Sequence, residues 1–539
     1  MSPTHVAELV LLDPDDDVGV AARDLSAGEV ISAGSAGRVR LAESVPMGHK
    51  VALRSLERGQ TVRKYGYPIG LASESIGVGV WVHSHNLEDA GSRRVVEARK
   101  RQDAASTVPA SEGFAEGGVP TLRTPPPPDL LEGHTFQGYR RASGRFGTRN
   151  YVAVISTVNC SASVSRYVAR RFAQDALRNY PHVDGVIAIT HHSGCGMPYG
   201  GLAHAMLDRV LGGLIHHPNV GGCLLIGLGC EQATSDHLFE SLRVVPISGV
   251  ASCEQPIPVL SIQDLGGTTR TVESAVAEVA RLLPRVDAAR REAAPARGLI
   301  LGLECGGSDG SSGITANPAL GVAADLLIAA GGTAILSETP EIYGAEQLLA
   351  RRAVSVEVAQ KLLDRIRWWQ GYTAQFGCRL DNNPSVGNKA GGITTIAEKS
   401  LGAIAKGGST ALVDVYQYAE RVQAAGLVVM DTPGYDPASV TGMVAGGANI
   451  VVFTTGRGSC FGCKPTPSLK VASNTPMYQR MIDDMDIDAG TVLQGRSLSA
   501  LGGEIFAEIL AVASGKRTKS EVQGMGDEEF LPWIVGPML

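Results

Sequence analysis

The sequence has no apolar run approaching the ~18 consecutive residues of a membrane span. Its first residues, MSPTHVAELVLLDPDDD, lack the basic and apolar regions of a secretory signal. These two absences make a cytoplasmic location the expectation. An excess of one charge is missing as well. A net charge of −6 over 539 residues gives no electrostatic footprint for nucleic acid or an anionic membrane. Aromatic residues are scarce at 5%, whereas the 66 glycines suit an α/β protein with many tight strand-to-helix turns. The nine cysteines are an odd number, and in a reducing compartment they are thiols, metal ligands or small buried hydrophobes.

What is present is length and alternation. The chain is long enough for roughly two to four domains. Residues 1–88 read as short strands (AELVLL, KVALRSL, GVGVWVH) separated by Gly- and Pro-marked turns, and KYGYPIG reads as a tight turn between two of them. Residues 89–135, polar and ending in PPPPD, read as a flexible linker. In 136–295, YVAVIST, GVIAIT and GCLLIGLG alternate with helical patterns, the signature of a doubly wound parallel sheet. A second series in 296–539 runs through GLILGLE, GTAILSE, GLVVMD and ANIVVFTT, giving a body of two α/β lobes. No short-period internal repeat stands out.

In open parallel sheets, ligands bind beyond the carboxyl ends of the strands. Asn159 and Cys160 follow the first strand; His191, His192 and Cys195 follow the second; Cys230 and Glu231 follow the third. In the second series these places hold Glu304-Cys305, Glu338, Asp431 and the loop 456–470, with Arg457, Cys460, Cys463 and Lys464. Two imidazoles and a thiol in HHSGCG are costly to bury without partners, which favours function there. Cys460-x-x-Cys463 has no second CxxC to complete a structural zinc site, so its glycines and cations suit anion binding better. ECGGSDGSSG offers backbone donors from Gly306, Gly307, Ser308 and Asp309 to a carboxylate or phosphate, without P-loop spacing. His83-x-His85 closes the β-rich segment, where alternate residues could face one metal.

GHKVAL, KYGYPIG and WVHSHN resemble a small β-clip module of the SAF type. TVNCSASVSR, HHSGCG, GLGCE, LECGGSDG, SETPEIYGAE, NPSVGNKAGGITTIAEKSLGA, DTPGYDP and GCKPTPSLK resemble, in order, the catalytic body of the altronate/galactarate dehydratase family. The resemblance implies dehydration of a sugar acid: a 2,3-dihydroxy carboxylate loses its α-proton and C3 hydroxyl and becomes a 2-keto-3-deoxy acid. It also implies Fe²⁺ or Mn²⁺. That chemistry asks for a base, an acid and a cationic clamp. His191 or His192, and Glu304 or Glu231, are candidates for the acid–base roles. Lys464 is a candidate catalytic and carboxylate-binding group, alongside Asn159, Arg457 and the 306–309 loop. His83, His85, Cys195, Cys230, Glu231 and Cys305 are candidate metal ligands. An iron–sulfur cluster on the strand-end cysteines is the alternative cofactor. A sulfolactate-type sulfo-lyase and a non-catalytic sugar-acid binding module are the alternative functions. The expected partners are a small sugar acid and a second copy of the chain, as a dimer.

Overall fold

In the computed structural model, residues 8–33, 37–89, 133–231 and 257–534 are described. Nearly all of the expected linker at 89–135 lies outside them.

The N-terminal segment is built from short antiparallel strands. It contains a repeat that the sequence reading missed. Leu25-x-x-Gly28, Val45-x-x-Gly48, Leu56-x-x-Gly59 and Ile76-x-x-Gly79 each place a buried aliphatic residue three positions before a glycine at φ 79–83°. The aliphatic residues bridge in pairs, Leu25 with Val45 and Leu56 with Ile76. The repeat hides because only two of its positions are constrained. KYGYPIG is the expected hairpin: Tyr65 and Gly66 (φ 62° and 71°) turn the chain between Thr61–Lys64 and Tyr67–Ala72, the double left-handed geometry that matches strand twist.

The first lobe holds four parallel strands in the order Gly185–Ile189, Tyr151–Ser156, Val220–Gly227, Val259–Ser261. Helices Ala162–Arg170 and Thr268–Asp287 bury one face through Val164, Val168, Ala275 and Val279, and Leu202–Ile215 covers the other. Burial on both faces explains why these strands read as continuous apolar runs. Thr135–Arg140 and Arg291–Pro295 pair antiparallel and bring together the chain's entry to and exit from this lobe.

The second lobe is a seven-stranded, wholly parallel sheet. Its order is Leu412–Tyr416, Gly426–Met430, Thr333–Leu336, Ile300–Cys305, Ile450–Thr455, Ser468–Ala472, Ile487–Asp488. Three of these were not expected: Leu412–Tyr416, Ile487–Asp488 and Ser468–Ala472, the last of which turns the end of the supposed 456–470 loop into a buried strand. Ile300–Cys305, the first strand of this lobe, lies centrally, and the winding reverses beside it. That is the topological switch point, where a ligand crevice opens beyond the strand ends. The N-terminal segment shares a hydrophobic core with this lobe: Val62, Tyr65 and Ile69 belong to the same cluster as Leu303, Ala316 and Leu320. Among the described residues, no helix is long and apolar enough to cross a membrane.

Candidate active site

The switch point delivers a cluster of buried charge. Glu304 and Cys305 end the central strand, and Glu338 stands two residues past its neighbour Thr333–Leu336. Glu341 ends the short turn Thr339–Glu341, and Asp436 opens helix Asp436–Ala445. Lys399, from helix Ile396–Ala403, and Lys406, from the turn Ile404–Gly407, come in from the side. Glu338 is left-handed (φ 62°), a conformation that costs a non-glycine residue about 1–3 kcal/mol. Its amide donates to Thr432 Oγ1 at 2.7 Å and its carboxylate pairs with Lys406, which hold it there.

The contacts are dense. Lys406 Nζ lies 2.8 Å from Cys305 Sγ, and Lys399 Nζ lies 2.5 Å from Glu341 Oε1. Glu304 Oε2 accepts from Ser337 Oγ (3.0 Å) and Ser439 Oγ (2.8 Å). Glu304 Oε1 and Glu338 Oε1 are buried with no hydrogen-bond partner. Two sets, Cys305–Glu338–Glu341 and Glu304–Glu338–Asp436, each place one ligand atom per residue within 4.8 Å of the others, and Glu338 belongs to both. Within this cluster four carboxylates face two ammonium groups, so ionisation of all would leave two negative charges unbalanced. The side chains answer in part by holding protons: burial, with Glu338 and Asp436 nearby, pushes Glu304 well above the usual carboxylate range. Burial, Glu338 and Glu341 lift Asp436 to about 7. Burial, then Glu338, raises the Cys305 thiol. The orphaned oxygens, the oxygen and thiol donors and the charge deficit all fit a divalent cation.

The N-terminal segment covers this end of the lobe. Its Lys50 and Lys64 are fully buried and both reach Glu398, at 2.9 and 2.8 Å; Lys50 also donates to the Gly392 carbonyl at 2.7 Å. Burial first, and Lys64 too, pull Lys50 down to about 8 against the pull of Glu398. Burial works against Glu398, yet the two lysines hold it far below the usual range. The Gly48 carbonyl lies so close to Gly310 and Gly392 that a Cβ there would stand 1.8 and 2.4 Å from it. These glycines are therefore docking surface. A small cleft remains along the seam, lined by Lys64, Tyr65, Ser308, Asp309, Glu398 and Lys399. Lys399 links it to the carboxylate cluster.

Family models match the three parts of the chain: Altronate/galactarate dehydratase SAF domain at residues 7–90; D-galactarate dehydratase/Altronate hydrolase, second domain, at 138–287; and D-galactarate/Altronate dehydratase, C-terminal, at 296–538. The galactarate dehydratase (L-threo-forming) of Escherichia coli (strain K12) is 36% identical over 535 residues, 97% of this chain and 96% of that protein. The altronate dehydratase of the same strain is 35% identical over 508 residues (94% and 95%), and that of Bacillus subtilis (strain 168) 34% over 485 residues (90% of each). The chain belongs to the altronate/galactarate dehydratase family. It is a hydro-lyase of that type, and its N-terminal segment is the family's SAF domain.

Within this family framework, the residues expected from sequence fall into three groups. Glu304 and Cys305 lie in the buried cluster. Gly306 packs on it, since a Cβ there would meet Asp436 Oδ2 at 2.1 Å. Gly307, Ser308 and Asp309 form the adjoining loop. Asp309 accepts from Ser311 and Ser312 just after it and from Ser473 and Asn474 beyond strand Ser468–Ala472, and so shapes and anchors the loop; Arg457 runs alongside, its amide donating to Gly307 O at 2.8 Å.

A second group lies on the first lobe. His191 departs from its expected acid–base role: one ring nitrogen meets Ser156 O at 3.0 Å, the other accepts from Ser193 N at 3.2 Å, and burial lowers it to about 4. It is a neutral structural histidine. His191→Ala strands two buried backbone groups and should cost about 1–3 kcal/mol in denaturant unfolding, with the pH–rate profile unchanged. Glu231 is likewise committed, accepting from Thr157 Oγ1 (2.7 Å) and from the amides of Leu228 and Gly229. Asn159, His192, Cys195 and Cys230 are exposed at the same strand ends.

The third group points elsewhere. Lys464 pairs with Asp527 at 2.5 Å and donates to the Gly524 carbonyl at 3.3 Å, so its ammonium is spent on the C-terminal segment. His83 and His85 stack with ring centroids 6.5 Å apart, and among the described residues neither belongs to a cluster of three or more ligand side chains. The strand ends at Val82 and residues 84–86 form a turn, so the strand alternation that was to align them is absent. His83 Nε2 is bonded to Lys389 O at 2.8 Å, and its ring stacks on His49 at 5.1 Å. His49 also accepts from Trp81 Nε1, and burial, then His83 and Lys50, lower it to about 4. Groups depressed in this way favour folding above their unfolded pKa near 6.5, and that contribution is lost as pH falls through about 4. The denaturation midpoint should therefore drop over that window, and less steeply in His49→Asn.

Sequence reasoning placed Glu338 at a strand end without giving it a role, and did not select Glu341, Lys399, Lys406, Asp436, Lys50, Lys64 or Glu398. The signal for two of them is visible in IAEKSLGAIAK: Lys399 and Lys406 are seven apart in a mostly apolar helical pattern, so they share one face.

Proposed function

We propose that this protein dehydrates a sugar acid of the altronate or galactarate type to a 2-keto-3-deoxy acid, at the cluster of Glu304, Cys305, Glu338, Glu341, Lys399, Lys406 and Asp436. The observation that carries the reading is four carboxylates set against two lysines at the switch point, beside a cleft sealed by the SAF domain. Such a placement gives the acid, base and cation that α-proton removal and hydroxyl departure demand.

Asp436 is half-buried, whereas Glu304, Glu338 and Glu341 are buried, so Asp436 is the base best placed to meet the α-proton. Glu304 holds its proton, and its unpartnered Oε1 is the atom that would return one to the departing C3 hydroxyl. Lys399, on the cleft wall, and the backbone of the 306–309 loop receive the substrate carboxylate, the role expected of Lys464. A divalent Fe or Mn ion held by Glu338 with Cys305 and Glu341 would supply Lewis-acid stabilisation of the developing negative charge and leave Glu304 and Asp436 to move protons. The SAF domain excludes water from the seam.

Galactarate, altronate and sulfolactate, supplied side by side with Fe²⁺ or Mn²⁺, test the reading. A 2-keto-3-deoxy product from one of the two sugar acids is the expected result; sulfite release from sulfolactate alone, or no turnover of any, would overturn it. Asp436→Asn should lower kcat by about 10²–10⁴-fold, the range of a lost acid–base group.

A further inference from the structure

We propose that Cys160, Cys195 and Cys230 are the three thiolate ligands of an iron–sulfur cluster on the first lobe, separate from the carboxylate cluster of the second. The dehydratase reading leaves all three unused.

The strands that carry them are neighbours. Tyr151–Ser156 pairs in parallel with Gly185–Ile189 on one side and Val220–Gly227 on the other, so all three chains leave the sheet at one edge. Cys160, Cys195 and Cys230 each lie within six residues of a strand end, and each is exposed.

The loops are tied to one another. Asn159 N donates to Ser193 O at 2.9 Å, and its side chain reaches His191 O at 3.2 Å and His192 Nδ1 at 3.3 Å, which joins the first loop to the second. Glu231 binds Thr157 Oγ1 and so joins the third loop to the first. His191 spends both ring nitrogens on this framework. Left-handed glycines flank two of the cysteines: Gly194 (φ 101°) and Gly196 (φ 73°) around Cys195, and Gly229 (φ 123°) before Cys230. The Gly194 position has no room for a side chain, since a Cβ would stand 2.7 Å from Thr157 O. Cys160 sits in the turn that opens helix Ala162–Arg170.

The chemistry of the donor set selects the ligand. Three thiols without a carboxylate among them suit soft iron–sulfur chemistry better than a hard divalent ion. With three cysteine ligands, a four-iron cluster keeps one iron open to an oxygen donor, such as water or the hydroxyl of a hydroxy acid.

The full-length protein, reconstituted anaerobically with Fe²⁺ and sulfide and then desalted, tests the assignment. It should retain about four irons and four acid-labile sulfides per chain, with broad visible absorption and, on reduction, a cluster electron paramagnetic resonance signal. Cys160→Ser, Cys195→Ser and Cys230→Ser should each lose the chromophore several-fold, and the triple variant should fall to background with its circular dichroism unchanged. Cys378→Ser, Cys460→Ser and Glu338→Gln should keep it, the last separating this site from the carboxylate centre. Metal bound without sulfide, or a triple variant that keeps its cluster, would overturn the proposal.

Discussion

Glu338→Gln lowers kcat by about 10²–10⁴-fold, with KM changed far less. Glu338 is the member common to both ligand sets, so no other carboxylate of the cluster can replace it. Its Oε2 pairs with Lys406 and accepts from Cys305 N at 3.2 Å, and its Oε1 is buried without a partner. Glutamine keeps the volume and the left-handed backbone, but removes one negative charge. Lys406 then keeps only the Cys305 and Glu304 side of its environment, and a bound divalent ion loses an oxygen anion. Steady-state kinetics with metal analysis on the same preparation read both effects. Unaltered kcat would remove Glu338 from the centre.

Glu398→Ala destabilises the protein by about 3–5 kcal/mol, the cost of breaking a buried ion pair from one side. Glu398 is the anion between two fully buried ammonium groups from the SAF domain, and it also accepts from Thr394 N and Oγ1 at 2.9 and 2.7 Å. Its removal leaves Lys50 and Lys64 facing each other without compensation. Lys50, already drawn down to about 8, sheds its proton first. The SAF domain should then loosen from the body, so proteolysis between residues 89 and 135 should release it faster than in the parent. Denaturant unfolding measures the energy. Lys50→Met in the same background should recover part of it, because it removes one of the stranded charges.

Seven strands of the two lobes were legible because a parallel strand covered on both faces has few polar positions to blur its pattern, as YVAVIS and IVVFTT illustrate. Ser468–Ala472 was not, since it begins after Thr466-Pro467 and carries a buried lysine at 470. The rule that ligands gather at strand ends found Glu304 and Cys305, which lie next to a strand in sequence. It could not find Lys399 or Lys406, which enter from a helix and a turn about a hundred residues later in the chain. Nor could it separate His191, a fully bonded loop histidine, from a catalytic one: imidazole looks the same in sequence whether its nitrogens are spent or free.

The sequence by itself determined the family, the α/β class and the order of the parts, because strand hydrophobicity, glycine turns and motif order are local properties. Only the tertiary structure decided which charges meet. Sheet order placed Ile300–Cys305 at the centre, and that choice brought Glu338, Asp436 and Lys406 to Glu304 and Cys305. Docking of the SAF domain buried two lysines on Glu398, a contact between residues more than three hundred positions apart. Such pairings are set by how whole elements pack, and no window of sequence contains them.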